Sequence, residues 1–201
     1  MSRLDLHLHT THSDGSHTPS EVIGLAHQAG VTALAITDHD IMTGIPDAIT
    51  AAEPFGIEII PAVEVSSISG RSELHILGYF LDWHDPVLNE RFKTLRDSRH
   101  RRNPQIIERL QSLGIDITYE EVRALAGSDS VGRPHIARAL MDKQVVSSAK
   151  EAFDRFLADG KPAYVPRDLP SPAEAIQWIK AAGGLAVLAH PTWVKLADRS
   201  L

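Results

Sequence analysis

Histidines and carboxylates recur near the start of this chain in a pattern suited to holding a divalent ion. His7-Leu8-His9 sets two imidazoles two residues apart. Side chains at i and i+2 of a strand point to the same side, so both rings can reach one ion. The run from His9 to Gly15 adds Asp14 in a polar turn, and Thr37-Asp38-His39-Asp40 adds another histidine between two carboxylates. Glu64, His75 and His190 follow at longer intervals. Six of the 11 histidines precede residue 40, and histidine is the commonest metal ligand. A donor set of imidazole and carboxylate without sulfur suits Mn, Zn or Fe better than Ca. The candidates outnumber the ligands one zinc needs, so two or three divalent ions are expected, Mn first among them. Clustered ions can make a bridging hydroxide at neutral pH and hold a phosphoryl oxygen. His190 and Asp40 are the candidates for a catalytic role, and Asp38 or Asp40 for orienting His39 as a metal-bound ring requires.

An isolated His-x-His could equally be a solvated pair at a strand mouth. The elements around it argue for convergence. Leu4 to His7 reads as a short strand. Thr18-Pro19-Ser20-Glu21 is a capping box with proline in the first turn, and the helix it opens can end at Gly30. Val31 to Thr37 is a buried-type strand, Pro46 to about Glu53 a short helix closed near Gly56, and Ile57 to Ser66 a third strand interrupted by Pro61. This β-α-β-α-β order implies a parallel sheet, whose strand C-termini share one face. His7, His9, His39, Glu64 and His190 can then meet there.

The rest of the chain divides in two. Two short β-type runs flank Ser69-Gly70-Arg71-Ser72 as a hairpin. From Asp85 to about Gly160 the chain is mostly helical and more charged, with capping boxes at Thr118–Glu121 and Ser148–Glu151 and stops at Gly114 and Gly160. Ser171–Glu174 opens another helix, Gly183-Gly184 ends it, and Leu185 to Ala189 is a strand ending at His190-Pro191. The expected organisation is 1–84 as the first part of an α/β barrel, 85–165 as an inserted helical subdomain, and 166–201 as the barrel resuming.

Composition narrows the partners. With 43% hydrophobic residues the chain can bury a core, and with no cysteine it has neither disulfides nor thiolate metal sites. A formal net charge of -6 argues against wrapping duplex DNA, so an anionic substrate needs a local basic patch. No apolar run reaches the ~20 residues of a membrane span, and Met1 to His7 has no signal-peptide h-region. The expectation is a cytoplasmic protein with no membrane partner.

These motifs resemble the PHP (polymerase and histidinol phosphatase) superfamily. His7 to Gly15 matches its HxHTxxSDG pattern throughout, Thr37-Asp38-His39 its TDH, and Glu64, His75 and His190-Pro191 its later positions. The resemblance implies a distorted (β/α)7 barrel with two or three metal ions, and His7, His9, Asp14, His39, Glu64, His75 and His190 as ligands. Ser98-Arg99-His100-Arg101-Arg102-Asn103 and Gly132-Arg133-Pro134-His135 are similar to the group containing 3′,5′-nucleoside bisphosphate phosphatases and ribonuclease AM. There an arginine-bearing insert grips substrate phosphate, which implies substrate contact by Arg99, Arg102, Asn103, Arg133 or His135. Independently, an arginine beside a helix opened by Pro134 would cradle phosphate, although a charge run such as Arg99 to Arg102 is usually a solvated face.

The family also supplies a late Asp-x-His pair to the metals. Asp198-Arg199-Ser200-Leu201 does not carry it, so the barrel is expected to be C-terminally incomplete within these 201 residues. The expected function is metal-dependent hydrolysis of a nucleotide phosphomonoester by a metal-bridged hydroxide, or 5′-3′ trimming of short single-stranded RNA. The alternatives are a histidinol-phosphatase-like enzyme and a non-catalytic metal-binding module.

Overall fold

A computed structural model describes residues 3–70, 72–126 and 131–191. Arg71 of the expected hairpin turn and the tail from Asp198 lie outside the described residues. Five strands form one curled sheet in chain order: β1 (Arg3–Leu8), β2 (Val31–Ile36), β3 (Glu58–Ser69), β4 (Ser72–Tyr79) and β5 (Leu185–Leu188). The first three are parallel, and β4 is antiparallel to both of its neighbours. β5 therefore runs in the direction of β1, β2 and β3, and their C-terminal ends share one rim.

Two expectations about the third strand need correction. β3 is 12 residues long and continuous through Pro61. Residues 58–61 pair with β2 and residues 62–69 pair with β4, so the N–H that proline lacks falls where the strand changes partner. The two hairpin runs are accordingly one long strand and its eight-residue return.

Two of the helices on the sheet start at the capping boxes seen in the sequence. In α1 (Pro19–Gln28) Thr18 Oγ1 accepts from the Glu21 N–H while the Glu21 carboxylate accepts from the Thr18 N–H, and Ser171 and Glu174 repeat this at α7 (Pro172–Ala181). α1 and α2 (Ile45–Ala52) cover one side of the sheet through Ile23, Ala26, Leu34, Ile36 and Ala48. Ala35, Ala62, Leu77, Tyr79 and Ala189 form a second, smaller cluster on the sheet.

α3 (Pro86–Ser112) serves two cores. Its first half packs Leu88, Phe92 and Leu95 against Val63, Val65, Ile76 and Ile179. Its second half turns Ile106, Ile107 and Leu110 into a separate core whose buried members all lie between residues 106 and 165. Pro104 sits between the halves. α4 (Tyr119–Ala126), α5 (Arg133–Asp142), α6 (Ala149–Ala152) and the π-type turn Phe153–Leu157 complete that helical layer. Arg133 is the first residue of α5 and Pro134 the second, one position later than expected. No helix among the described residues is long and apolar enough to cross a membrane.

Candidate metal centre and its arginine ring

Glu64 is the hub of the site. It lies on β3, buried to 1% exposure, and four imidazole nitrogens surround its carboxylate. His7 Nε2 is 2.9 Å from Oε2 and His9 Nε2 3.0 Å. His75 Nδ1 is 2.9 Å from Oε1 and His190 Nε2 3.0 Å. His39 completes the ring, its Nδ1 3.6 Å from Oε2 and its Nε2 3.7 Å from Asp14 Oδ2. The topology explains the gathering. His7 lies in the last pleat of β1 and His9 just past its end, His39 bridges to Glu64 just beyond β2, and His75 on β4 is the cross-strand partner of Ser66. His190 follows β5, and the sheet curls enough to stack its ring on that of His7 at 6.1 Å.

A polar scaffold locks the two loops that carry His9, Asp14 and His39. The buried Asp38 carboxylate accepts from the Thr10 N–H (2.7 Å), the Thr10 hydroxyl (2.6 Å) and the Ser13 hydroxyl (2.6 Å). Gly15 is required for another reason. A Cβ there would lie 2.4 Å from the His9 carbonyl oxygen. Thr10 and Ser13 went unassigned from sequence, although both stand inside the HxHTxxSDG motif.

Electrostatics keep Glu64 and Asp14 ionised and His39 neutral, the forms that bind a metal, while His9 is drawn toward its carboxylate neighbours. Burial opposes the charge on Glu64, but the hydrogen bonds from His7, His75 and His9 outweigh it and hold the carboxyl well below its usual range. Burial also opposes ionisation of Asp14, and His39, His9, Arg99 and His135 outweigh it. For His9, burial lowers the pKa, but the hydrogen bond to Glu64 and the Asp14, Glu64 and Asp38 carboxylates raise it overall. His39 differs, because burial pushes it down to about 3 and leaves the ring neutral. Its Nδ1 is buried with no hydrogen-bond partner. A neutral imidazole with a bare nitrogen aimed among carboxylates is what a metal ligand needs. Among the described residues three overlapping groups have ligand atoms within 4.8 Å of one another: His7/His9/Glu64, His9/Asp14/His39 and His39/Glu64/His75. The donor set therefore fits divalent ions.

A second ring, of arginines, lies beside the first. Arg99 and Arg102 are buried at 6% and 4% exposure, which rules out the solvated-face reading for them. Arg99 Nη2 donates to Asp40 (2.7 Å), and Arg102 and Arg133 both donate to Glu73. Arg102 Nε is buried with no hydrogen-bond partner. Burial and the neighbouring Arg133 press Arg102 down to about 9, so it remains cationic at neutral pH. His135 accepts from the Gly132 N–H (3.0 Å) at the head of α5, and its field reaches Asp14.

Two of the expected site residues are held in contacts within the fold. Asp40, expected to act catalytically, adopts a left-handed φ of 57° and accepts from the Ser66 N–H, the Ser66 hydroxyl, Arg99 and Arg167. Burial raises its pKa, but Arg99 and Arg167 outweigh this and hold it below the usual range, so it stays ionised and tied to Ser66 and the two arginines. Neither Asp38 nor Asp40 hydrogen-bonds His39. Asn103 is fully buried and donates to the Val131 carbonyl (2.7 Å), which anchors the approach to α5. Glu73 and Arg167 went unassigned from sequence. Each acts through partners dozens of residues away, and no local spacing marks them.

The PHP domain family model matches residues 5–161. The chain belongs to the PHP domain family. Within it, a 3′,5′-nucleoside bisphosphate phosphatase of Chromobacterium violaceum is 38% identical over 192 residues, covering 95% of this chain and 67% of that protein. A 5′-3′ exoribonuclease of Haemophilus influenzae is 38% identical over 189 residues, covering 94% and 69%. A solved C. violaceum structure, described as an amidohydrolase with bound sulfate and no metal, superposes with a TM-score of 0.92 at 36% identity. It covers 98% of this chain and 70% of its own. This PHP chain thus spans about two thirds of the length of the relatives it matches.

Proposed function

We propose that this PHP protein is a metal-dependent phosphoesterase acting on a nucleotide that carries more than one phosphate group, or on the 5′ end of short single-stranded RNA. One observation carries the reading. A cluster of five histidines, Asp14 and Glu64 lies directly beside buried arginines. Phosphoric-ester hydrolysis is also the class named for both relatives. His7, His9, Asp14, His39, Glu64, His75 and His190 would hold two or three divalent ions, with Mn the best match to imidazole and carboxylate. When bound, such ions supply Lewis acidity and a nucleophilic water at neutral pH. Glu64 would space the imidazoles, and Asp14 would hold His9 and His39 in place. Arg99, Arg102 and Arg133 would bind and orient the phosphate oxygens. A guanidinium has five N–H donors, so one carboxylate contact leaves donors for a phosphate. Residues 85–165 would act as the cap that carries Arg99, Arg102, Arg133 and His135 over the metals.

The deciding experiment follows phosphate release by the Mn-loaded protein. Turnover of 3′-phosphoadenosine 5′-phosphate should greatly exceed that of histidinol phosphate. Faster release from histidinol phosphate would give the protein a different substrate class. No Mn-stimulated release from any phosphorylated nucleotide would leave a binding module.

A further inference from the structure

The face of the β3–β4 hairpin that carries the metal centre continues outward. Glu64, Ser66 and Ile68 alternate onto one side of β3, and His75 and Glu73 are the cross-strand partners of Ser66 and Ile68. The order along this face is the histidine cluster, then Glu73 with Arg102 and Arg133, then the lip at Ile68. At that lip a cleft of about 450 Å³ opens between the hairpin tip, Arg109 of α3 and the turn carrying Lys161 and Tyr164. Ile68 is four residues from Glu64, about 13 Å along the strand.

Three features suit this cleft to nucleic acid. It adjoins the arginine pair, because Ile68 at its lip is the cross-strand partner of Glu73, whose carboxylate holds Arg102 and Arg133. It extends the local positive charge, since Arg109 and Lys161 lie beyond Arg102 and Arg133 with Asp159 as the acid at the rim. It contains an aromatic ring, Tyr164, whose backbone carbonyl is held by Arg109. A basic track interleaved with an aromatic side chain is how proteins hold single strands without reading sequence.

We propose that this cleft is a downstream subsite for single-stranded RNA. The 5′-terminal phosphate lies at the metals, the next backbone phosphate at Arg102 and Arg133, and a following base against Tyr164, with Lys161 and Arg109 on the backbone. The inference rests on the phosphoesterase reading and extends it by giving a polymer a path beyond the metals that a mononucleotide does not use.

The test pairs binding with turnover. Anisotropy of a 3′-fluorescein-labelled, 5′-phosphorylated hexa-adenylate is measured on the protein in EDTA. Hydrolysis of the same RNA and of 3′-phosphoadenosine 5′-phosphate is measured with Mn. Tyr164→Ala should weaken RNA binding roughly fivefold or more, and Tyr164→Phe should restore it. Lys161→Ala should weaken binding further at low salt. Both alanine variants should turn over the mononucleotide at the starting rate. RNA binding unchanged in Tyr164→Ala and Lys161→Ala would overturn the subsite, as would an equal loss on mononucleotide and RNA. If no substrate is hydrolysed but Tyr164→Ala still loses RNA affinity, the subsite stands and the phosphoesterase reading falls.

Discussion

At the scale of single residues, the centre turns on one carboxylate shared by several rings. Five imidazoles within reach of Glu64 cannot all be protonated without severe mutual repulsion, so the favourable state has neutral rings sharing cations. His39 shows this most directly, because burial, with the neighbouring His75 and His9 rings, outweighs Asp14 and Glu64 and keeps it neutral. Removing it takes a ligand from two of the three donor groups. His39→Ala is expected to lower bound Mn, read by elemental analysis after desalting, and to abolish turnover with it. Full Mn content in the variant would show that the ring only fills space. Arg133 belongs to a different function. Its guanidinium rests on Glu73 outside the donor groups, so Arg133→Ala should raise KM for a nucleoside bisphosphate about tenfold, the worth of one charge-assisted hydrogen bond. Mn content should not move. An unchanged KM would remove Arg133 from the phosphate site.

At the scale of elements, the loop between β1 and α1 is built by close approach. Gly15 lets the chain pass over the His9 carbonyl, and a methyl group there would meet backbone atoms that cannot rotate aside. Gly15→Ala should therefore displace Asp14 and weaken Mn binding by at least about tenfold, the usual effect of disturbing ligand support. Titration calorimetry would show it, and unchanged affinity would mean the loop yields elsewhere. Much at this scale is legible in the sequence, because it is written in short-range chemistry. The capping boxes at Thr18 and Ser171, the strand–helix alternation to Ile36 and the i, i+2 histidines all depend on neighbours within a few positions. What could not be read has distant causes. Pro61 appears to break a strand only until β3 is known to change partner there. Asp40 resembles a catalytic acid until Arg99 and Arg167, 59 and 127 positions away, close on it. Glu73 draws no attention until two arginines from two helices converge on its carboxylate.

At the scale of the whole molecule, the sheet and the helical core are stapled by buried ion pairs as well as by α3. Asp40, beyond β2, holds Arg99 of α3 and also Arg167. Glu73, on β4, holds Arg102 of α3 and Arg133 of α5. Burial works against both carboxylates, yet the paired arginines outweigh it and hold both below their ordinary pKa values. The folded protein therefore binds fewer protons at these sites than the unfolded chain. Their stabilisation is fully present above the unfolded carboxyl values of about 4 and is lost as pH falls through the lower folded values. In EDTA, these staples should contribute fully from pH 8 down to about 5, and acid should then loosen the two layers together. Asp40→Asn leaves Arg99 and Arg167 buried without a counter-charge, a change that costs about 3 kcal/mol or more. The variant should unfold at lower urea at pH 7 and show a shallower loss of stability below pH 4, where the native carboxylate would have begun to protonate. Superimposable acid limbs for the two proteins would mean that Asp40 does not couple protonation to the joining of sheet and helices.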